Sequence, residues 1–184
     1  MISFHKANNT TDLEQILSLQ AANRPENISS SELQEQGFVT VRHNLSLLQA
    51  MNNPFSHIIA KEQEKLIAYA LVMLKKFKNQ IPVLIPMFDQ IDHLEHKGQP
   101  LAAIDYFVIG QICIAKGYRG QGVFYGLYEK MKQEMQPIFP LVITEVSVRN
   151  PRSLKAHEKA GFETILEYAT EDGEKWEILK WDWR

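Results

Sequence analysis

The sequence predicts a mixed α/β (α+β) fold in a single domain, a sheet with helices between its strands. Three observations carry that expectation. The chain has 184 residues, enough for one core that buries roughly 70% of the surface its unfolded chain exposes. Segments of strand and helix periodicity alternate along its length. Residues 106–148 run strand, glycine turn, helix, strand, a unit that places its two strands side by side and parallel.

The elements follow in order. Ile2 to His5 reads as a first strand. Thr11-Asp12-Leu13-Glu14 has the pattern of a capping box, opening a helix with Leu13, Ile16, Leu17 and Leu19 as apolar positions and stopping near Arg24-Pro25. Ser29 to Ser31 caps a short polar helix ending at Gly37, and Asn44 caps another with Leu45, Leu48 and Met51 on one face. Residues 56–61 and 66–74 read as strands joined by the charged turn Glu62-Gln63-Glu64-Lys65. Residues 75–104 hold Lys75, Lys76, Lys78 and several prolines, and are expected to be an insertion lying over the surface, either a simple excursion or a segment that shapes a substrate site.

Residues 106–115 are apolar almost throughout, the mark of a central strand. After the glycine turn, Val123, Phe124, Leu127, Tyr128, Met131 and Met135 form a stripe at helical spacing, ended by Pro137 and Pro140. Residues 141–148 form the next strand. Asn150-Pro151 opens a helix as N-cap and first helical residue, and Gly161 closes it in the left-handed conformation. Two last strands, residues 162–169 and 175–181, flank the turn Glu171-Asp172-Gly173. Trp176, Trp181 and Trp183 serve either core packing or a homodimer contact.

Composition narrows the function. Hydrophobic residues make up 45% and charged residues 23% of the chain, with a net charge of -2, so the basic footprint of a nucleic-acid binder is lacking. Cys113 is the single cysteine, which rules out an intramolecular disulfide and suits a reducing, cytoplasmic setting. The N-terminus lacks a charged-then-apolar leader, and the longest apolar run, residues 66–74, falls far short of the ~20 residues of a membrane helix. A soluble protein without membrane or nucleic-acid partners is expected. His93-Leu94-Glu95-His96 lacks zinc-ligand spacing, so no metal is expected.

The informative stretch is residues 111–135. Gly117, Gly120 and Gly122 surround Arg119 where a helix begins, leaving several backbone N–H groups free to point outward together, a cradle for an anion. Two phosphate-binding signatures fail here. A P-loop needs Lys-Ser/Thr after its last glycine, where Val123-Phe124 stand, and the dinucleotide fingerprint needs a third small residue where Tyr125 stands.

Arg119-Gly120-Gln121-Gly122-Val123-Phe124 resembles the Gln/Arg-x-x-Gly-x-Gly/Ala hallmark of the GNAT superfamily of acyl-CoA-dependent N-acyltransferases, departing only at its last residue. Asn150-Pro151-Arg152-Ser153-Leu154-Lys155-Ala156-His157-Glu158-Lys159-Ala160-Gly161-Phe162 is similar to a second segment of that family. The resemblance implies a mostly antiparallel sheet of about seven strands with a central, splayed parallel pair, and about four helices. It implies acetyl-CoA as co-substrate, a small-molecule or peptide amine as acceptor, and direct transfer in a ternary complex. Coenzyme-binding roles carry over to Ile112, Cys113 and Ile114 along the pantetheine arm, to Arg119, Gly120, Gln121, Gly122, Val123 and Phe124 around the pyrophosphate, and to Asn150 and Ser153. Phe124 in place of a small residue either keeps the backbone from the pyrophosphate or turns its ring into the core.

His157 stands where many members have a tyrosine that protonates the departing thiolate. That thiolate has a conjugate acid near 8.5, and an ordinary histidine, at about 6.5, is charged in only roughly a quarter of molecules at neutral pH. His157 is therefore either the acid or a packing residue. Glu145 and Asp105 are candidate bases for the amine, with a water chain as the alternative. The amide of Ile112 or Ile114 is expected to meet the developing oxyanion. Cys113 reads as an inert buried thiol. The competing function is a non-catalytic module that binds or senses coenzyme A.

Overall fold

The computed structural model describes residues 1–29, 39 and 41–184. A seven-stranded sheet in the order β1-β2-β3-β6-β7-β9-β8 is the main feature, mostly antiparallel with one parallel pair. The chain forms two compact units, Met1–Val72 with Ile109–Met135, and Met73–Val108 with Gln136–Arg184. Among the described residues there are five α-helices. None of the described helices is long and apolar enough to cross a membrane.

In the first unit, β1 (Ile2–Lys6) pairs antiparallel with β2 (Ile58–Glu62), and β2 with β3 (Lys65–Leu74). Helix α1 (Thr10–Ala22) starts ahead of the expected box. Asn9 is its cap, its side chain accepting the Asp12 N–H at 2.8 Å, while the Asp12 carboxylate accepts the Asn8 N–H at 3.0 Å. Asparagine, with its extended backbone, competes successfully with threonine for this role. Helix α2 (Leu45–Met51) is capped by Asn44 as expected, and buries Leu48 and Met51. The polar helix expected to end at Gly37 lies outside the described residues.

Beyond β6 (Tyr106–Ile114), helix α4 (Val123–Met135) buries Val123, Leu127, Tyr128, Met131 and Met135, each such side chain contributing about 1.5–3 kcal/mol by leaving water. Gly126 is required by packing: a Cβ there would stand 2.0 Å from the ring of Phe4 on β1. His57 accepts the Val72 N–H at 3.1 Å through Nδ1 and donates from Nε2 to the Leu48 carbonyl at 3.3 Å. Burial lowers its pKa to about 3, so it is neutral.

In the second unit, β6 and β7 (Leu141–Ser147) run parallel, with Tyr106, Phe107 and Val108 opposite Leu141, Val142 and Ile143. Strand β9 (Lys175–Asp182) pairs antiparallel with β7 along its whole length and with β8 (Glu163–Ala169) on its other side. Trp181 and Trp183 are less than a tenth exposed and meet each other; Trp181 also packs on Phe162 and Trp183 on Phe107, which in turn meets Phe139, so both serve the core of this unit.

Residues 75–104 differ from expectation. They contain helix α3 (Ile85–Ile91) and a small hairpin of β4 (Glu95–His96) and β5 (Gln99–Pro100). They bury Phe77, Ile81, Leu84, Met87, Phe88, Ile91 and Leu101, and so build core where a surface excursion was expected. Pro82 and Pro86 sit in the first turns of a 3-10 helix and of α3, where a missing N–H costs nothing, and Pro100 ends the short strand β5. The spacing of Leu84, Met87, Phe88 and Ile91 is helical, and it carried the signal.

Candidate functional site

The glycine turn begins where β6 ends. The Ala115 N–H donates to the Ile67 carbonyl at 2.8 Å, and a short 3-10 turn, Lys116–Tyr118, follows. Gly120 and Gly122 then take φ of +77° and +78°, a region that side-chain-bearing residues rarely adopt. A Cβ on Gly117, Gly120 or Gly122 would meet nothing within 4 Å, so the turn faces open space. The Arg119 N–H reaches the Lys116 carbonyl at 3.5 Å, and the Gly126 N–H that of Gly122 at 3.1 Å. The N–H groups of Gly120, Gln121, Gly122 and Val123 make no hydrogen bond among the described residues. With the positive end of α4 behind them, they suit a phosphate group.

The motif's side chains do a different task. Arg119 donates from Nε to the Ile114 carbonyl at 3.1 Å and from Nη2 to the Asn23 side-chain oxygen at 2.7 Å. Gln121 donates to the Gly117 carbonyl at 2.7 Å. Both side chains brace the turn. Phe124 is half-buried with its ring 4.8 Å from that of Tyr128, which favours packing of that ring onto its own helix.

On β6, Ile112 and Ile114 are half-buried and Cys113 is 7% exposed. Burial pushes the Cys113 thiol up to about 12, consistent with an inert wall and not with a nucleophile. Gln111 was not anticipated. Its Oε1 accepts from Gln20 at 2.8 Å and from the Tyr69 hydroxyl at 2.6 Å, and its Nε2 donates to the Val41 carbonyl at 3.1 Å. Gln20 in turn accepts the His43 N–H and donates to His43 Nδ1. Only that orientation of the amide satisfies all partners. Burial lowers the His43 pKa to about 4.

In the second unit, helix α5 (Pro151–Ala160) presents the second motif. Asn150 caps it by accepting the Ser153 N–H at 3.1 Å. His157 is 1% exposed, its Nδ1 lies 2.8 Å from the Ser153 carbonyl and 3.3 Å from the Ser153 hydroxyl, and its ring meets Phe162 edge-on at 5.1 Å. A carbonyl only accepts, so Nδ1 carries the hydrogen. Burial lowers the pKa to about 4 despite that bond. At neutral pH His157 is an uncharged imidazole, which is a poor donor to a thiolate.

Glu145 lies near the end of β7 and is half-buried. Burial raises its pKa to about 7, against the opposing effect of the Tyr168 hydroxyl, which donates to Oε2 at 2.6 Å. Glu145 and Ile178 are partners across β7 and β9, whereas Trp181, against which Phe162 and Gly161 pack, points to the other face by strand alternation. Asn150, Ser153 and His157 therefore gather on α5, and Glu145 faces away from that helix. Asp105 is exposed just ahead of Tyr106, whose partner is Leu141, four residues before Glu145. Tyr168 was missed, since only the pairing of β8 and β9 brings it to Glu145.

Comparisons with known proteins fit this arrangement. The sequence profile of the Acetyltransferase (GNAT) family matches residues 13–162. No curated protein sequence matches the chain. Solved structures share its fold at low identity. The ribosomal-protein-S18-alanine N-acetyltransferase from Escherichia coli is 16% identical with a TM-score of 0.61, over 99% of this chain and 94% of that one. Arabidopsis thaliana NAA60 in complex with acetyl-CoA is 14% identical with a TM-score of 0.69, over 99% of each chain. The putative acetyltransferase yncA from Salmonella typhimurium, with its cofactor acetyl-CoA, is 10% identical with a TM-score of 0.63, over 100% and 94%.

Proposed function

The chain belongs to the GNAT family of acetyltransferases, and from that premise we propose that it transfers an acetyl group from acetyl-CoA to a primary amine by direct attack in a ternary complex. The observation that carries the catalytic half of this reading is Glu145, a partly buried carboxylate poised near neutral pH with a phenol donating to one of its oxygens. A base works best with a pKa near the operating pH, and a merely solvated carboxylate has no need of such a setting.

Acetyl-CoA, when bound, supplies an activated thioester. The N–H groups of residues 120–123 hold its pyrophosphate, with Arg119 and Gln121 keeping the turn in shape. Ile112, Cys113 and Ile114 line the pantetheine arm, and the amide of Ile112 or Ile114 is the donor for charge that develops on the carbonyl oxygen. Asn150 and Ser153 support the coenzyme from the start of α5. Glu145 takes the proton that the attacking amine sheds. His157, neutral and bonded to a backbone carbonyl, packs the base of α5. A thiolate whose conjugate acid lies near 8.5 leaves without a dedicated acid at modest cost.

The state of His157 also favours the second reading, a module that binds coenzyme A without turnover. One experiment separates the two: acetyl-CoA is incubated with the protein and a panel of small amines and free-N-terminal peptides, and acceptor-dependent thiol release is followed. Release that rises with pH through about 7 supports the enzyme. Coenzyme binding with no acceptor-dependent thiol across the panel overturns it in favour of the module. The relatives include a protein alanine N-acetyltransferase, so peptides belong in the panel.

A further inference from the structure

Strands β7 and β8 are not neighbours; β9 lies between them. A side chain on β8 must span β9, roughly 9–10 Å of sheet, to reach Glu145. Tyr168 does so, its hydroxyl 2.6 Å from Glu145 Oε2. We propose that Tyr168 is a positioning residue for this reaction: it holds one oxygen of Glu145 so that the other receives the amine's proton, and it sets the pH at which that carboxylate works. The inference rests on the reading of Glu145 as the base.

The placement depends on a register shift. Along β8 and β9, Thr164 is opposite Leu179, yet Leu166 is opposite Ile178 and Tyr168 opposite Trp176. In a regular antiparallel ladder Ile165 would face Ile178 and Glu167 would face Trp176. The extra residue turns the rest of β8 over, because a one-residue slip exchanges the faces of a strand. It puts Leu166 and Tyr168 on the face of Ile178 and Trp176, which is also the face of Glu145 and Ser147. Without the bulge, Glu167 would lie two strands from Glu145 and the phenol would point away.

The charged groups nearby are already committed. On the same face of β9, Lys180 pairs with Glu163 at 2.7 Å and lies 2.8 Å from His96 Nδ1. Asp182 pairs with His96 at 3.1 Å and Lys97 at 2.8 Å. Glu174, just before β9, is held by Ser147 and Arg149. On the other face, α5 presents the neutral His157. Among the described residues the hydrogen-bond partner of the Glu145 carboxylate is Tyr168. The phenol's own pKa is raised by burial and by this carboxylate, so it stays protonated and acts as a donor throughout the working range. When the amine's proton arrives on the second oxygen, no proton has to leave Tyr168: the new C–N bond replaces the C–S bond, Glu145 becomes neutral, and the negative charge leaves on the coenzyme A thiolate.

The test compares wild type, Tyr168→Phe and Glu145→Gln by two readouts. The first is the Glu145 carboxyl resonance in protein labelled with 13C-glutamate, titrated without any substrate and assigned by its loss in Glu145→Gln. The second is the acid limb of kcat/KM. In Tyr168→Phe both midpoints should rise together by about one pH unit, the size of one hydrogen bond to a charged acceptor, and high pH should restore turnover to within a few-fold. An unmoved carboxyl midpoint overturns the role of Tyr168, whatever the activity. If the carboxyl midpoint rises while the kinetic limb stays, or if Glu145→Gln keeps its turnover, the base reading itself has failed and the proposal falls with it.

Discussion

Glu145 on β7 and His157 on α5 stand twelve positions apart by their numbers and both lose water on folding, yet the same loss moves them in opposite directions. The carboxylate is pushed up to about 7 and the imidazole down to about 4. Desolvation disfavours whichever form is charged. For an acid that ends at a usable base near neutral pH. For a histidine it ends at a neutral ring that no longer titrates where the reaction runs. Under the proposed reaction, removal from water suits one group to proton transfer and the other to packing, and their partners differ in kind: a phenol donates to the carboxylate, a backbone carbonyl accepts from the imidazole.

The largest effect that tests this contrast is on stability. His57, His43 and His157 have folded pKa values of about 3, 4 and 4, below the ordinary 6.5. Between those values and 6.5 the unfolded chain binds protons that the folded chain refuses, so stability falls as pH falls through 6.5 towards 4. Glu145 works in the opposite sense, its folded pKa of about 7 lying above 4.5, so its share is present at low pH and lost as pH rises through 7. Three groups outweigh one. The unfolding free energy from urea titration should drop between pH 7 and pH 5 by several kcal/mol, on the order of one to three per histidine; a flat profile would break the contrast at its source.

Next in size is turnover. Glu145→Gln should lower kcat/KM at pH 7 by about 10²-fold or more, measured by thiol release, while leaving coenzyme affinity unchanged. Retained turnover would return Glu145 to a structural role. A smaller effect is expected away from both groups: Gly126→Ala forces a Cβ against the Phe4 ring and should cost about 1–3 kcal/mol in denaturant unfolding, which an unchanged midpoint would refute. The smallest is on His157 itself. His157→Phe should keep turnover within about threefold at pH 7, since a neutral ring bonded to a carbonyl transfers no proton. A hundredfold loss with unchanged coenzyme binding would reinstate it as the acid and sharpen the contrast the other way.

What was legible beforehand follows a pattern. Asn44, Asn150 and Gly161 were legible as caps because a cap is decided within a few residues. The cap of α1 was misplaced by competition among neighbouring polar residues, Asn9 against Thr11. In residues 75–104 the lysines and prolines argue for a surface segment, while the helical stripe Leu84, Met87, Phe88 and Ile91 is buried by the fold. Arg119 was legible as part of the motif but not in its task, since Asn23, its partner, is 96 residues away in the chain. Tyr168 was invisible: its link to Glu145 crosses an intervening strand and depends on a bulge.

The sequence by itself determined the family, the central run of strand, glycine turn, helix and strand, and the positive φ of Gly120 and Gly122, because glycine, proline and capping residues act on the backbone where they stand. Only the tertiary structure decided which candidate titrates. A pKa is set by water excluded and partners supplied from distant segments, and neither exists until β7, β8, β9 and α5 have packed around Glu145 and His157.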